Sequence, residues 1–233
     1  MIRALVFKFF FYTGTILICL IFLPALLLPQ KVMLFGGKIL GHWIKICLYL
    51  FLSVKINIKG IENIPNERNF FIASLHQSIF ETFFLQTVFD CPIFILKKEL
   101  LKIPIFGWHL KKIGSISIER DKVTKENLGF YDKIISAKND TQRPIIIFPQ
   151  ATRTDINDRQ KFKKGVSKIY EKLNINCVPV SLNSGNVWPK SGKMSLNKTI
   201  TISILETIPA GMNSITFLEK LESNLYKELE IIR

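Results

Sequence analysis

With 233 residues the chain is long enough for one sizeable core and short for two. A net charge of +14 and a pI near 9.7 accompany a mean hydropathy of +0.25, which is high for a freely soluble enzyme. Basic and apolar together suit an anionic membrane surface or an anionic substrate; a nucleic-acid partner would account for the charge alone. The lysines are dispersed with no aromatic-basic stacking module, so no nucleic acid is expected. Cys19, Cys47, Cys91 and Cys177 form no C-x-x-C pair and read as reduced thiols, buried or facing lipid. His42, His76 and His109 are scattered, so neither a metal site nor a cofactor is expected.

From Phe9 to Gln30 no residue is charged, a run of about 33 Å if helical and close to the thickness of a bilayer core. Arg3 and Lys8 precede it and Lys31 follows it. A signal peptide is the alternative, but the apolar run is long and no small-residue cleavage site follows. Pro24 and Pro29 are expected to kink or end this helix. Over Lys31 to Val54, Lys31, Lys38 and Lys45 recur at a seven-residue spacing and form one helical stripe beside a broad apolar face. Such a helix can lie in the headgroup region with its lysines on anionic phosphates. A second spanning helix with snorkelling lysines fits equally, and Gly36-Gly37 is expected to weaken the helix. Residues 1–54 therefore read as a hydrophobic helical membrane anchor and 55–233 as a separate domain.

Beyond Lys55, short apolar runs alternate with helical segments. Strands are expected at Val54–Ile58, Phe70–Ser74, Pro92–Leu96, Ser115–Ile118, Ile145–Phe148, Val178–Leu182 and Thr199–Leu205. Helices are expected near Ile79–Phe89, Lys122–Ala137, Phe162–Leu173 and Ser214–Ile231. This alternation predicts an α/β fold, a mixed, mostly parallel sheet flanked by helices.

One run carries recognisable chemistry. An apolar strand ends at Ser74 and a helix begins near Ile79, which puts His76 on the turn at a strand's carboxyl end, where ligands gather in open α/β sheets. Glu81, in the first helical turn, can hold one ring nitrogen while the other takes a proton from an attacking hydroxyl. The same residues also read as a capping box, with Ser78 as N-cap and Glu81 reaching back to its amide. Further on stand Lys97-Lys98-Glu99-Leu100 and then the strand-like Gly114-Ser115-Ile116-Ser117-Ile118-Glu119-Arg120. The Arg120 guanidinium suits a phosphate through two parallel hydrogen bonds; an ion pair with Glu119 or Asp121 is the alternative. After the buried run at Ile145 comes Phe148-Pro149-Gln150-Ala151-Thr152-Arg153-Thr154. Next, Phe162-Lys163-Lys164-Gly165 opens a helix, where amides and lysines together favour an anion, or form a solvated face. Val178-Pro179-Val180 lies in a buried strand and reads as architectural.

These blocks, in this order, resemble the glycerolipid acyltransferases, in particular the PlsC-type lysophosphatidic acid (1-acyl-sn-glycerol-3-phosphate) acyltransferases. The resemblance covers roughly Lys55 to Leu205 together with a hydrophobic N-terminal anchor. His76 and Glu81 match a His-x4-Asp motif, with glutamate for aspartate. Phe148 to Arg153 match Phe-Pro-Glu-Gly-Thr-Arg, with Gln150 for the acid and Ala151 for the glycine, which disfavours a positive-φ turn there. The resemblance implies His76 as the base, aided by Glu81. It also implies Arg120 and Arg153 on the acceptor's phosphate with Lys163 and Lys164 nearby, and Gln150 and Thr152 beside the acceptor. The implied partners are acyl-CoA or an acyl-acyl-carrier-protein as donor, a lysophospholipid acceptor and anionic membrane lipids, with no acyl-enzyme and no metal. No Gly-x-Ser-x-Gly elbow is present, which fits. The implied location is the inner (cytoplasmic) membrane with the catalytic domain on its cytoplasmic face. Two rival readings stand: an acyltransferase acting on another lysophospholipid, a lyso-aminolipid or glycerol-3-phosphate, and a basic membrane-surface adaptor without catalysis.

Overall fold

The computed structural model describes residues 2–118 and 129–233; Arg120 and the first residues of the helix expected from Lys122 lie outside them. In chain order the strands are β1 (Lys55–Lys59), β2 (Phe70–Ser74), β3 (Ile93–Lys97), β4 (Ile116–Ile118), β5 (Ile145–Ile147), β6 (Asn176–Leu182) and β7 (Thr199–Ile204). The α-helices are α1 (Ile2–Ile21), α2 (Gln30–Leu52), α3 (Phe80–Val88), α4 (Phe106–Lys112), α5 (Phe130–Asp140), α6 (Gly165–Leu173) and α7 (Ser214–Ile232). They fall into two units, Met1–Phe51 with Thr82–Arg143, and Leu52–Glu81 with Pro144–Arg233.

In the second unit the strands lie in the order β1-β7-β6-β2-β5. β2 pairs parallel with both β5 and β6, β1 pairs parallel with β7, and β6 with β7 is antiparallel. The expected mixed, mostly parallel sheet is therefore present. β2 is buried at all five positions, which is why its sequence, Phe-Phe-Ile-Ala-Ser, shows no polar alternation. Phe71 on this strand meets Tyr170 of α6 and Phe217 of α7, and those two rings stack at 3.8 Å. α7 turns Phe217, Leu221, Leu225 and Leu229 inward at every fourth position, and Asn213 caps it by accepting the Ile215 amide proton.

In the first unit, α1 and α2 form a hairpin. The Arg3 guanidinium donates to the Phe51 carbonyl at 2.7 Å, and Trp43 Nε1 donates to Phe11 O at 3.3 Å. Pro24 sits in the 3-10 turn Leu23–Leu26 that ends α1, as expected of a proline there. The expected weakening at Gly36-Gly37 does not occur, and α2 runs unbroken. Its glycines are points of close approach: a Cβ on Gly37 would lie 2.4 Å from Gln86 Oε1, and one on Gly41 2.8 Å from the Phe83 carbonyl oxygen. α2 is further tied by an ion pair of Lys38 with Asp90 at 2.5 Å and by Gln30 Nε2 donating to Lys112 O at 3.0 Å. β3 and β4 pair parallel in this unit. Arg143 is buried and donates to the carbonyls of Cys91, Pro92 and Ile113. All four cysteines are buried free thiols.

Candidate active site

β2 ends at Ser74 and α3 begins at Phe80, so the five residues between them hold no regular element and His76 lies where the sequence put it. Glu81 is fully buried, and its carboxylate organises this turn. Oε1 accepts from Gln77 N at 2.6 Å, Ser78 N at 2.7 Å and His76 Nδ1 at 2.9 Å; Oε2 accepts from Ser184 Oγ at 2.9 Å. Ser78 Oγ in turn accepts from Phe80 N at 3.2 Å. The capping box and the histidine pair, alternatives on sequence, coexist: one carboxylate oxygen serves both. Two backbone donors already fix that oxygen as an acceptor. The proton between Glu81 and the ring is therefore assigned to Nδ1, which in the neutral imidazole leaves the lone pair on Nε2.

The ring's attitude is set from a second strand end. Phe148, directly after β5, stacks on the imidazole with centroids 4.1 Å apart and planes 18° from parallel. Gln150 Oε1 accepts the His76 amide proton at 2.7 Å, and Thr154 N donates to His76 O at 2.9 Å. The loop after β5 thus grips the His76 backbone at both its polar groups. Gln150 is buried, and its Nε2 donates to Thr154 Oγ1 at 2.8 Å. Burial pushes the Tyr226 phenol on α7 up to about 12, against the lowering effect of the Gln150 amide, so it stays protonated and donates to Gln160 O at 2.5 Å.

Ala151 adopts φ 60°, the left-handed conformation its side chain was expected to disfavour. The turn is kept with alanine in it, at a backbone cost of about 1–2 kcal/mol.

The remaining sequence candidates divide. Arg153 is half-buried, three residues beyond Gln150 on the same loop, and has no hydrogen-bond or ion-pair partner among the described residues. Thr152 is also half-exposed on this loop. Lys163 joins the loop through its backbone, N–H to Pro149 O at 2.9 Å, while the Lys163 and Lys164 side chains are exposed. Helix α6 starts at Gly165, not at Phe162, so both lysines precede it. Arg120 lies outside the described residues. Three participants carried no sequence signal: Gln77, which accepts the Gly185 amide proton at 2.9 Å, Ser184 and Tyr226. Ser184 stands 103 residues from the carboxylate it touches. Thr154 was in view as the fourth residue after Gln150, a spacing that a tight turn brings within reach.

Comparison with known proteins gives this site a family. A 1-acyl-sn-glycerol-3-phosphate acyltransferase of Pseudomonas aeruginosa is 31% identical over 171 residues, covering 71% of this chain and 65% of that protein. One from Helicobacter pylori is 28% identical over 185 residues, covering 78% and 77%, and one from Borreliella burgdorferi 34% over 150 residues, covering 64% and 59%. The matches thus span roughly three fifths to three quarters of those relatives. The crystal structure of the 1-acyl-sn-glycerophosphate acyltransferase PlsC from Thermotoga maritima shares the fold, with a TM-score of 0.79 over 98% of this chain and 95% of that one at 23% identity. The family model described as Acyltransferase matches residues 55–183, more than half of the sequence and the whole of the turn and loop built around His76, and the chain belongs to that family.

Proposed function

We propose that this chain is a membrane-bound lysophosphatidic acid acyltransferase, moving a fatty acyl group from acyl-CoA or an acyl-acyl-carrier-protein to the free hydroxyl of 1-acyl-sn-glycerol-3-phosphate. The observation that carries the reading is the His76–Glu81 pair, with Nδ1 engaged at 2.9 Å and Nε2 left as the proton acceptor. Nε2 takes the hydroxyl proton as the oxygen attacks the thioester carbonyl carbon. Glu81 stabilises the imidazolium that forms. The tetrahedral intermediate expels the thiolate, which recovers the proton from the ring. The attacking group is the acceptor's own hydroxyl, so no acyl-enzyme is needed. Arg153, joined by Arg120, would hold the acceptor's phosphate, with Lys163 and Lys164 adding positive charge. Thr152 would face the acceptor, and Gln150, its polar atoms already engaged, would act by holding the His76 backbone.

The membrane reading rests on the first unit. α1 and α2 are both long and apolar enough to cross a bilayer, with hydropathies of 2.1 and 1.2 over their most apolar windows. The contacts of α2 favour an interfacial position: Gln30, Cys91 against the Leu34 carbonyl, Gly37, Lys38 and Gly41 touch other parts of the unit over three turns. These contacts hold the first half of α2 against protein. α1 presents Phe9, Tyr12, Ile16, Leu17, Leu20 and Ile21 outward, a face for acyl chains. Both thioester donors are cytoplasmic, which puts the site on the cytoplasmic face of the inner membrane.

The test is acyl transfer by the purified full-length protein in mixed micelles, with labelled donors against lysophosphatidic acid, other lysophospholipids, a lyso-aminolipid and glycerol-3-phosphate. Preference for lysophosphatidic acid is expected. Transfer confined to a lyso-aminolipid would overturn the phosphate reading, and no transfer to any acceptor would favour the adaptor.

A further inference from the structure

We infer that Ser184 is a positioning residue for the reaction, matched to the length of the glutamate at position 81; this rests on the reading of His76 and Glu81 as the catalytic pair. The four donors on Glu81 are not equivalent. Oε1 takes three of them, all from the turn 76–78, whereas Oε2 takes the Ser184 hydroxyl alone. A carboxylate held at one oxygen still rotates about its own axis, and rotation moves Oε1 off the Nδ1–H direction. Ser184 pins the second oxygen and so fixes the plane.

The hydroxyl is itself held rigidly. Ser184 is fully buried on the turn leaving β6. Its carbonyl accepts from Val187 N at 3.0 Å and Trp188 N at 2.9 Å. Its neighbours are locked on both sides: Asn183 donates to Ile232 O at 2.6 Å and accepts from Thr201 N at 2.7 Å, and Gly185 N donates to Gln77 Oε1 at 2.9 Å. A Cβ on Gly185 would come within 3.0 Å of that same Gln77 oxygen, so the turn is pressed against the residue next to His76. This turn therefore reaches the catalytic turn twice, once through Gln77 and once through Glu81.

Side-chain length completes the argument. An aspartate at 81 would draw the carboxylate back by about 1.5 Å, one C–C bond. It could not meet the Gln77 and Ser78 amides and His76 and still reach Ser184. The glutamate that departs from the family motif is thus accommodated by a partner on the turn after β6, and the two residues act as a pair.

The experiment uses the full-length protein in detergent and reads kcat, acceptor KM and the pH–rate profile. Ser184→Ala is expected to lower kcat about tenfold, the rate equivalent of a hydrogen bond to a charged group at the low end of its range. KM should hold, because Ser184 touches no substrate. The acid limb of the profile should move up, because a carboxylate robbed of a donor keeps more of its negative charge for the ring and holds the imidazolium proton more tightly. Ser184→Thr, which keeps the hydroxyl, should recover most of kcat. In a Glu81→Asp background Ser184→Ala should add no further loss, because the contact is already broken. His76→Ala run alongside separates the two levels. Activity in His76→Ala would sink the catalytic pair itself. An inactive His76→Ala beside a Ser184→Ala of unchanged kcat and pH profile would overturn the role of Ser184 alone. So would a loss of kcat without movement of the acid limb, or full additivity with Glu81→Asp.

Discussion

Replacing His76 by alanine should cost the enzyme its chemistry while leaving a folded protein, and the structure sets the size of both effects. The substitution deletes the ring stacked on Phe148 and one of the four donors on Glu81. An aromatic contact of that kind is worth about 0.5–1.5 kcal/mol, and a hydrogen bond to a charged group about 1.5–3 kcal/mol. Glu81 keeps the Gln77 and Ser78 amides and the Ser184 hydroxyl, so no carboxylate oxygen is left bare. The stability loss should therefore fall near 2–4 kcal/mol, roughly 4–16 °C in Tm for a chain of this size. Loss of a general base typically costs about 10²–10⁴ in rate. Circular-dichroism melting in detergent measures the first and initial rates of acyl transfer, assayed well below the variant's Tm, the second. A folded variant turning over at the wild-type rate would refute the assignment of Nε2 as the base.

Arg153→Ala should raise the acceptor KM about 10- to 100-fold, the loss of a charged hydrogen bond, with little change in the donor KM; Arg153→Lys should recover only part, lacking the planar fork. Weakened donor binding alone would reverse that assignment. Ala151→Gly should stabilise the protein by about 1 kcal/mol, because glycine adopts φ 60° without penalty, and thermal melting checks it. Lys31→Glu with Lys45→Glu should lower activity on anionic vesicles far more than on detergent micelles, at about 1 kcal/mol per charge removed from the surface; equal loss in both media would reject the interfacial model. Lys38 is left out of that pair because it is ion-paired with Asp90.

The sheet was legible because its strands are written as continuous apolar runs: β2 was expected at the residues where it stands, and the other strands within two residues at each end. The short helix α4 was not. It is only seven residues long and carries Gly107 where it meets the Leu101 carbonyl, a Cβ there lying 2.3 Å from it, so its sequence shows no helical periodicity. In the site, the turn that carries His76 and Glu81 was legible because strand, turn and helix follow each other within a dozen residues. Ser184 and Tyr226 were not, since each reaches the site from a distant element and a lone serine or tyrosine has no periodicity to betray it. Gln150 and Ala151 show a subtler limit. Read as departures from a motif, they put a function in doubt. In the fold, the glutamine donates to the Thr154 hydroxyl where a carboxylate could only accept, and the alanine keeps the left-handed turn.

The anchor shows how the same residue can argue opposite ways at two levels. At the level of helix propensity, Gly36 and Gly37 cost α2 about 1 kcal/mol each. At the level of packing, Gly36 lets the Phe22 ring come close, and Gly37 and Gly41 admit Gln86, Phe83 and Thr87 where any Cβ would collide. Contact made along several turns outweighs a local cost of that size, so the helix stays whole. Glycines on one face of an apolar helix mark the side turned to protein, and the Phe35, Ile46, Tyr49 and Leu50 side chains are exposed on the other. A helix with one face of each kind is fixed to the protein along one side and offers an apolar surface along the other.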